Sequence, residues 1–131
     1  MFRRQSKAAL PKTPTDYPYG LFVETEAGWF LMRAKTRLRV PSSRVLRSWR
    51  VKPIKTTEAA VKHCLITGKL GFRDGTLIQN YADKKCYLIS QNKKRQIASP
   101  DAWNLYGLEK SSILIVSNTE AKLHEDGEVL E

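Results

Sequence analysis

Eight basic side chains fall within twenty residues: Arg33, Lys35, Arg37, Arg39, Arg44, Arg47, Arg50 and Lys52. Trp29 and Trp49 stand near the two ends of this run. Arginine meets carboxylates and phosphates through two parallel N–H donors, and tryptophan anchors interfaces with a large apolar ring. The chemistry available to such a run is recognition of something acidic. Nucleic-acid phosphates and the carboxylates of a protein surface both qualify, and net charge does not choose between them. A solvated basic face is the plain alternative. Lys93, Lys94 and Arg95 form a second, less specific cluster that serves equally well to keep a turn soluble.

Side chains for covalent or metal chemistry are sparse. His63 and His124 are the only histidines, and neither has a Cys, Asp or second His at metal-ligand spacing. His124, followed by Glu125 and Asp126, reads as a solvated helix end. Ser42, Ser43 and Ser99 precede helical patterns, so capping accounts for them without a nucleophilic role. The glycines Gly68, Gly71 and Gly75 do not fit a phosphate-binding loop. No paired-carboxylate motif, cofactor or small-molecule substrate is implied, and the chain is read as a non-enzyme. Cys64 and Cys86, each inside an apolar run, read as buried thiols, with a bridge between them left open.

The elements that carry these residues occur twice. In Asp83–Gly107 an apolar strand, a basic turn, a short strand and a capped helix follow one another. A degraded copy lies upstream, from Gly28 to Trp49. Phe30-Leu31-Met32 answers Tyr87-Leu88-Ile89, and Lys35-Thr36-Arg37 answers Asn92-Lys93-Lys94. Val40 answers Ile97, Ser42 answers Ser99, and Leu46 answers Trp103. Gly20-Leu21-Phe22-Val23 precedes the first copy as Gly75-Thr76-Leu77-Ile78 precedes the second. Thr57-Glu58-Ala59 follows as Thr119-Glu120-Ala121 does. A shift of roughly 55 to 62 residues, slipping where loops lie, marks a duplicated unit. Because the aromatics fall at core-like positions matched between copies, they form no exposed stacking row, which weighs against nucleic acid.

Within each copy the sequence predicts a hairpin, a third short strand, a helix and a small closing helix. In the first, LFVET and GWFLMR form the hairpin, LRV the third strand, and a helix runs from Pro41-Ser42-Ser43 through Arg50. A second helix opens at Thr56-Thr57-Glu58 and continues to Gly68, burying Ala60, Val61, Cys64 and Leu65. In the second, TLIQN pairs with CYLIS, Ser99-Pro100-Asp101 opens a helix, and SILIVS is the last strand. Ser117 and Glu120, at capping-box spacing, open a final helix to about His124. The fold class is therefore α+β, with two tandem, structurally similar small modules after an extended N-terminal arm.

The arm, residues 1–19, carries Arg3, Arg4, Lys7 and Lys12. Pro11, Pro14 and Pro18 exclude a continuous helix or a central strand. Tyr17 and Tyr19 flank Pro18 and suit docking of the arm's end on the folded body; a frayed terminus is the plain reading of the arm, and ordering on a neighbouring subunit the sharper one. Module 1 spans residues 20–74 and module 2 residues 75–131. The net charge of +10 is concentrated in the arm and first module. Residues 1–74 hold 16 Lys and Arg against 5 Asp and Glu, whereas residues 75–131 hold 7 against 8. No apolar run approaches the roughly 20 residues of a bilayer span, and residues 1–14 lack the apolar core of a signal peptide. Synthesis in the cytoplasm without membrane association is the expectation.

The run YLISQNKKRQIASPDAWNLYG resembles repeats of bacterial surface proteins and of small virion proteins of tailed bacteriophages. The arm, PKTPTDYPYGLFVET, is similar to the phage proteins as well. The resemblance covers most of the chain and is strongest over residues 75–130. In the first copy Pro41 stands in place of Ala98 and Ser43 in place of Pro100. The resemblance implies a structural virion component of the head, neck or tail, such as a head–tail connector, with other virion proteins as partners. It supplies no catalytic residues. On this reading Arg3, Arg4, Tyr17, Tyr19, Arg37, Arg39, Arg44, Arg47 and Arg50 are the partner-binding residues, with nucleic acid bound through residues 33–52 as the alternative.

Overall fold

The computed structural model describes residues 20–131. The arm assigned to residues 1–19, with Arg3, Arg4, Tyr17 and Tyr19, lies outside them.

Two short apolar strands, β1 (Phe22–Thr25) and β2 (Gly28–Arg33), pair antiparallel with Phe22 opposite Leu31 and Thr25 opposite Gly28. Only Glu26 and Ala27 separate them, and Gly28 leaves the turn at φ +129°. Thr25 holds this turn by accepting the Ala27 N–H at 3.0 Å. The chain reverses again at Ala34 and Lys35 into β3 (Thr36–Val40). The helix α1 (Ser43–Ser48) follows, then β4 (Ile54–Lys55), which runs parallel to β1. A single turn, α2 (Glu58–Val61), precedes β5 (Leu65–Lys69).

The second half repeats this order. β6 (Leu77–Asn80) and β7 (Cys86–Ser90) form the hairpin, and β8 (Lys93–Gln96) is the third strand. Helix α3 (Pro100–Leu105) is followed by a 3-10 turn, then by β9 (Leu114–Val116) parallel to β6. A one-turn helix, α4 (Asn118–Ala121), leads into β10 (Glu125–Asp126), parallel to β8. The sheet orders are β4-β1-β2-β3-β5 and, reversed, β9-β6-β7-β8-β10. The second is an antiparallel meander, β6-β7-β8, with a parallel strand added at either edge, and in the first β4 is likewise parallel to its neighbour β1. The chain is α+β with two similar sheet modules.

The closing segments differ from the sequence expectation. The helix expected from Thr57 to Gly68 is one turn, after which the chain becomes β5, and Leu65 is 69 % exposed rather than buried. The final helix likewise stops at Ala121. Much of what read as basic turns is strand, since Arg37 lies on β3 and Lys93, Lys94 and Arg95 on β8. The caps set the register of the second half of each repeat. Thr57 accepts the Ala60 N–H and Ser117 the Glu120 N–H, so Thr57 corresponds to Ser117 and not to Thr119.

Contacts group the residues into two compact units. One comprises the described residues up to Arg39 with Lys52–Gly68; the other comprises Val40–Val51 and Lys69–Glu131. Helix α1, by sequence part of the first repeat, thus groups with the second unit. The first unit is built on Val23, Phe30, Met32, Val61 and Cys64, and the second has a cluster of Leu77, Ile97, Ala102, Trp103 and Leu130. Fully burying a side chain of this size stabilises by about 1.5–3 kcal/mol.

Each core is closed by a polar lock at matching positions. In the first unit Thr25 donates to Glu58 at 3.1 Å. Arg37, 4 % exposed, makes a two-pronged pair with Glu58 and donates its Nε to the Cys64 carbonyl at 2.8 Å. Its guanidinium lies 4.3 Å from the Phe30 ring centroid. The Arg37 pair, outweighing partial burial, holds the Glu58 carboxyl below its usual range. In the second unit Asn80 donates to Asn118 at 2.9 Å, and Lys94 donates to the His124 carbonyl at 2.8 Å. With an uncharged Asn118 at the place of Glu58, Lys94 finds its carboxylate in Asp126 at 3.1 Å.

Candidate binding site

The residues proposed to meet a partner separate sharply. Arg37 is a core residue, and its donors are spent on Glu58 and Cys64. Arg39 is half-buried, 4.9 Å from the Phe30 centroid, and bonds the Ala27 carbonyl at 3.0 Å. Arg44 is exposed but paired with Glu120 at 3.1 Å. Arg47 and Arg50 open onto a cleft of the second unit.

That cleft exists because α1 is pinned along its length. Ser42 caps it by accepting the Val45 N–H at 3.2 Å, and Val45 is fully buried. Glu120, 7 % exposed, accepts the Ser42 hydroxyl at 2.6 Å and the Arg44 guanidinium at 3.1 Å. The same carboxylate closes the α4 capping box by accepting the Ser117 N–H at 2.8 Å. Burial pushes the Glu120 carboxyl upward, but its bonds from Ser117 and Ser42, with the Arg44 charge, outweigh that and leave it below the usual range. At the other end Ser48 accepts the Arg73 N–H at 3.1 Å, and the Trp49 indole donates to the Gly71 carbonyl at 2.9 Å. Arg50 then ends the helix in a left-handed conformation, φ +56°.

The cleft has a volume of about 560 Å³. Arg47, Arg50 and Arg73 line it together with Asp74, Gly107 and Glu109. The Asp74 carboxylate is occupied by the Gln91 and Asn92 N–H groups at 3.0 and 3.2 Å. Among the described residues no carboxylate pairs with the guanidinium of Arg47, Arg50 or Arg73. Three exposed guanidiniums around one concavity attract carboxylates or phosphates. Sequence reasoning missed Arg73, whose only local signal is its place before the Asp74-Gly75 turn. Trp29 and Trp49 are half-buried, with Trp29 donating to Glu24 at 3.2 Å and Trp49 committed to Gly71.

His124 overturns its reading as a solvated helix end. It is 2 % exposed and stacked on Phe72 with ring centroids 6.0 Å apart. Nε2 accepts the Phe72 N–H at 2.9 Å, so the ring proton sits on Nδ1, which donates to the Asn92 carbonyl at 2.8 Å. Burial is the main cause holding its pKa below the usual value. Its counterpart in the first repeat is Cys64, also fully buried. Both cysteines are free thiols. Among the described residues no group of three or more His, Cys, Asp or Glu side chains could hold a metal ion, and no helix is long and apolar enough to cross a membrane. No protein-family model and no curated protein matches the chain.

Proposed function

We propose that the chain is a non-enzymatic assembly protein of a bacteriophage virion. Its cleft at Arg47, Arg50 and Arg73 takes a carboxylate-bearing segment of a neighbouring subunit, and the residue 1–19 arm makes a second contact. The observation that carries this reading is the cleft itself. Three guanidiniums with no carboxylate partner among the described residues line one concavity, while Arg37 and Arg44 are consumed within the protein. The resemblance of residues 75–130 to small virion proteins supplies the setting. The test is incorporation of Arg47→Glu/Arg50→Glu into purified particles, with folding followed by circular dichroism. Incorporation falling at least about tenfold in a folded variant, equivalent to about 1.4 kcal/mol, supports the reading. Unchanged incorporation refutes it.

The same guanidiniums suit phosphate, so nucleic acid is the second reading. It requires binding to duplex DNA that weakens steeply as salt rises. A flat titration at low salt removes it.

A further inference from the structure

The two sheets end in edges that occupy the same place in the repeat but differ in character. At the end of the second sheet, β10 has only two residues, both acidic. Beyond it the chain stays along β8: Gly127 donates to the Lys94 carbonyl at 2.9 Å, and Leu130 donates to the Gln96 carbonyl at 2.8 Å. The outer rim so formed carries exposed Glu125, Glu128 and Glu131, with Val129 44 % exposed between them. No Lys or Arg follows Lys122.

The corresponding edge of the first sheet, β5, is five residues long and exposed throughout. It presents Leu65 at 69 % and Ile66 at 44 % exposure. Between Glu58 and Asp74 there is no acidic residue, whereas Lys62 and Lys69 are present. Edges are commonly blunted by brevity, charge or cover, and β5 carries a single charge, Lys69 at its end, which leaves Leu65–Gly68 as a template for another strand.

We infer that β5 of one copy receives the acidic Glu125–Glu131 rim of a second copy. Charge complementarity selects this occupant: two β5 edges would set Lys62 and Lys69 against like charges, whereas the Glu125–Glu131 rim sets carboxylates against them. The contact is heterologous, with different surfaces from the two partners, so it propagates into a ring or filament instead of stopping at a dimer. It uses neither the arm nor the arginine cleft, so its failure would leave the proposed role standing.

The experiment is sedimentation velocity on the full chain and on two variants, Leu65→Glu/Lys69→Glu and Glu125→Lys/Glu128→Lys. All these positions are exposed, and circular dichroism checks the fold. Ile66→Glu replaces the first variant should it not fold. Wild type is expected to associate past the dimer between about 1 µM and about 1 mM, at least about tenfold more weakly in 1 M salt. Each variant alone is expected to remain monomeric. Mixed, they should associate again, because the intact rim of the first meets the intact β5 of the second and the two reversed edges complement each other in charge. Wild type monomeric throughout, association unaffected by the variants, or a mixture that stays monomeric would each overturn the inference. So would a tail variant that still dimerises alone, since β5 would then be pairing with itself.

Discussion

Gly71 and His124 offer the sharpest test of the second unit. A Cβ built at Gly71 lies 2.5 Å from His124 Cε1 and 2.6 Å from Nε2. The imidazole cannot swing away, because Phe72 N–H and the Asn92 carbonyl hold it from both sides. Gly71→Ala must therefore displace the ring, at about 1–3 kcal/mol for overpacking. Leaving the Phe72 N–H without its acceptor adds about 1–3 kcal/mol. The expected loss is about 3 kcal/mol, or roughly 10 °C in Tm for a chain this size. Gly68→Ala is the control. Its Cβ meets only Leu38 Cδ2 at 3.6 Å, so its effect should stay within about 0.5 kcal/mol. Urea unfolding of Gly71→Ala, His124→Cys and the double variant completes a cycle, cysteine being the residue the first repeat uses there. With the ring gone, Gly71→Ala should cost under about 1 kcal/mol, a coupling of about 2 kcal/mol. A Gly71→Ala protein as stable as wild type, or strictly additive losses, would refute the account.

Three further predictions concern the polar groups. The His124 pKa is lowered on folding, so the unfolded chain binds more protons below the usual imidazole value of 6.5. Stability should accordingly fall as pH drops from about 6.5 toward the folded pKa, and His124→Gln should flatten urea midpoints over that window. Glu120→Gln should lower stability by about 2 kcal/mol by urea unfolding, because Arg44, Ser42 and Ser117 all depend on its carboxylate. The wild-type contribution of Glu120, whose pKa is depressed, should be present above the usual carboxylate range and fade as pH falls through the folded value. Arg37→Lys should cost about 2 kcal/mol, since an ammonium cannot make the two-pronged pair with Glu58 while also reaching Cys64. Adding Glu58→Asn, which copies the second repeat, should not restore it, because no counterpart of Asp126 stands at Ile66.

Much of the fold was legible because it is written locally. Hairpins announce themselves as apolar runs around short polar turns, and Ser42, Thr57, Ser99 and Ser117 all cap the helices they precede. The duplication was visible for the same reason. The edge strands were not, because β4 and β10 are two residues each and are held by backbone pairing that leaves no alternation to read. Val61, Cys64 and Leu65 have helical spacing, yet only the first two are buried, and the β-branched Ile66-Thr67 run continues as strand. His124 sits in acidic sequence, and its burial depends on Gly71 and Phe72, far away along the chain. The cleft was half legible. Arg47 and Arg50 followed from the basic run, but Arg73 joins them only through tertiary structure, and only that structure removes Arg37 from the surface.

A polypeptide that encodes nearly the same sheet twice risks exchanging strands with itself as it folds, a familiar failure of repeat proteins. The unlike locks discourage it. Were β3 to settle where β8 belongs, the Arg37 guanidinium would face Asn118 in place of Glu58 and exchange its two-pronged pair for the exposed carboxylate of Asp126. Losing the two-pronged pair costs about 1.5–3 kcal/mol, a penalty that the apolar similarity of the strands does not return. Divergence at two polar positions thus lets each half recognise its own strands, much as differently cut keys keep neighbouring doors from opening one another.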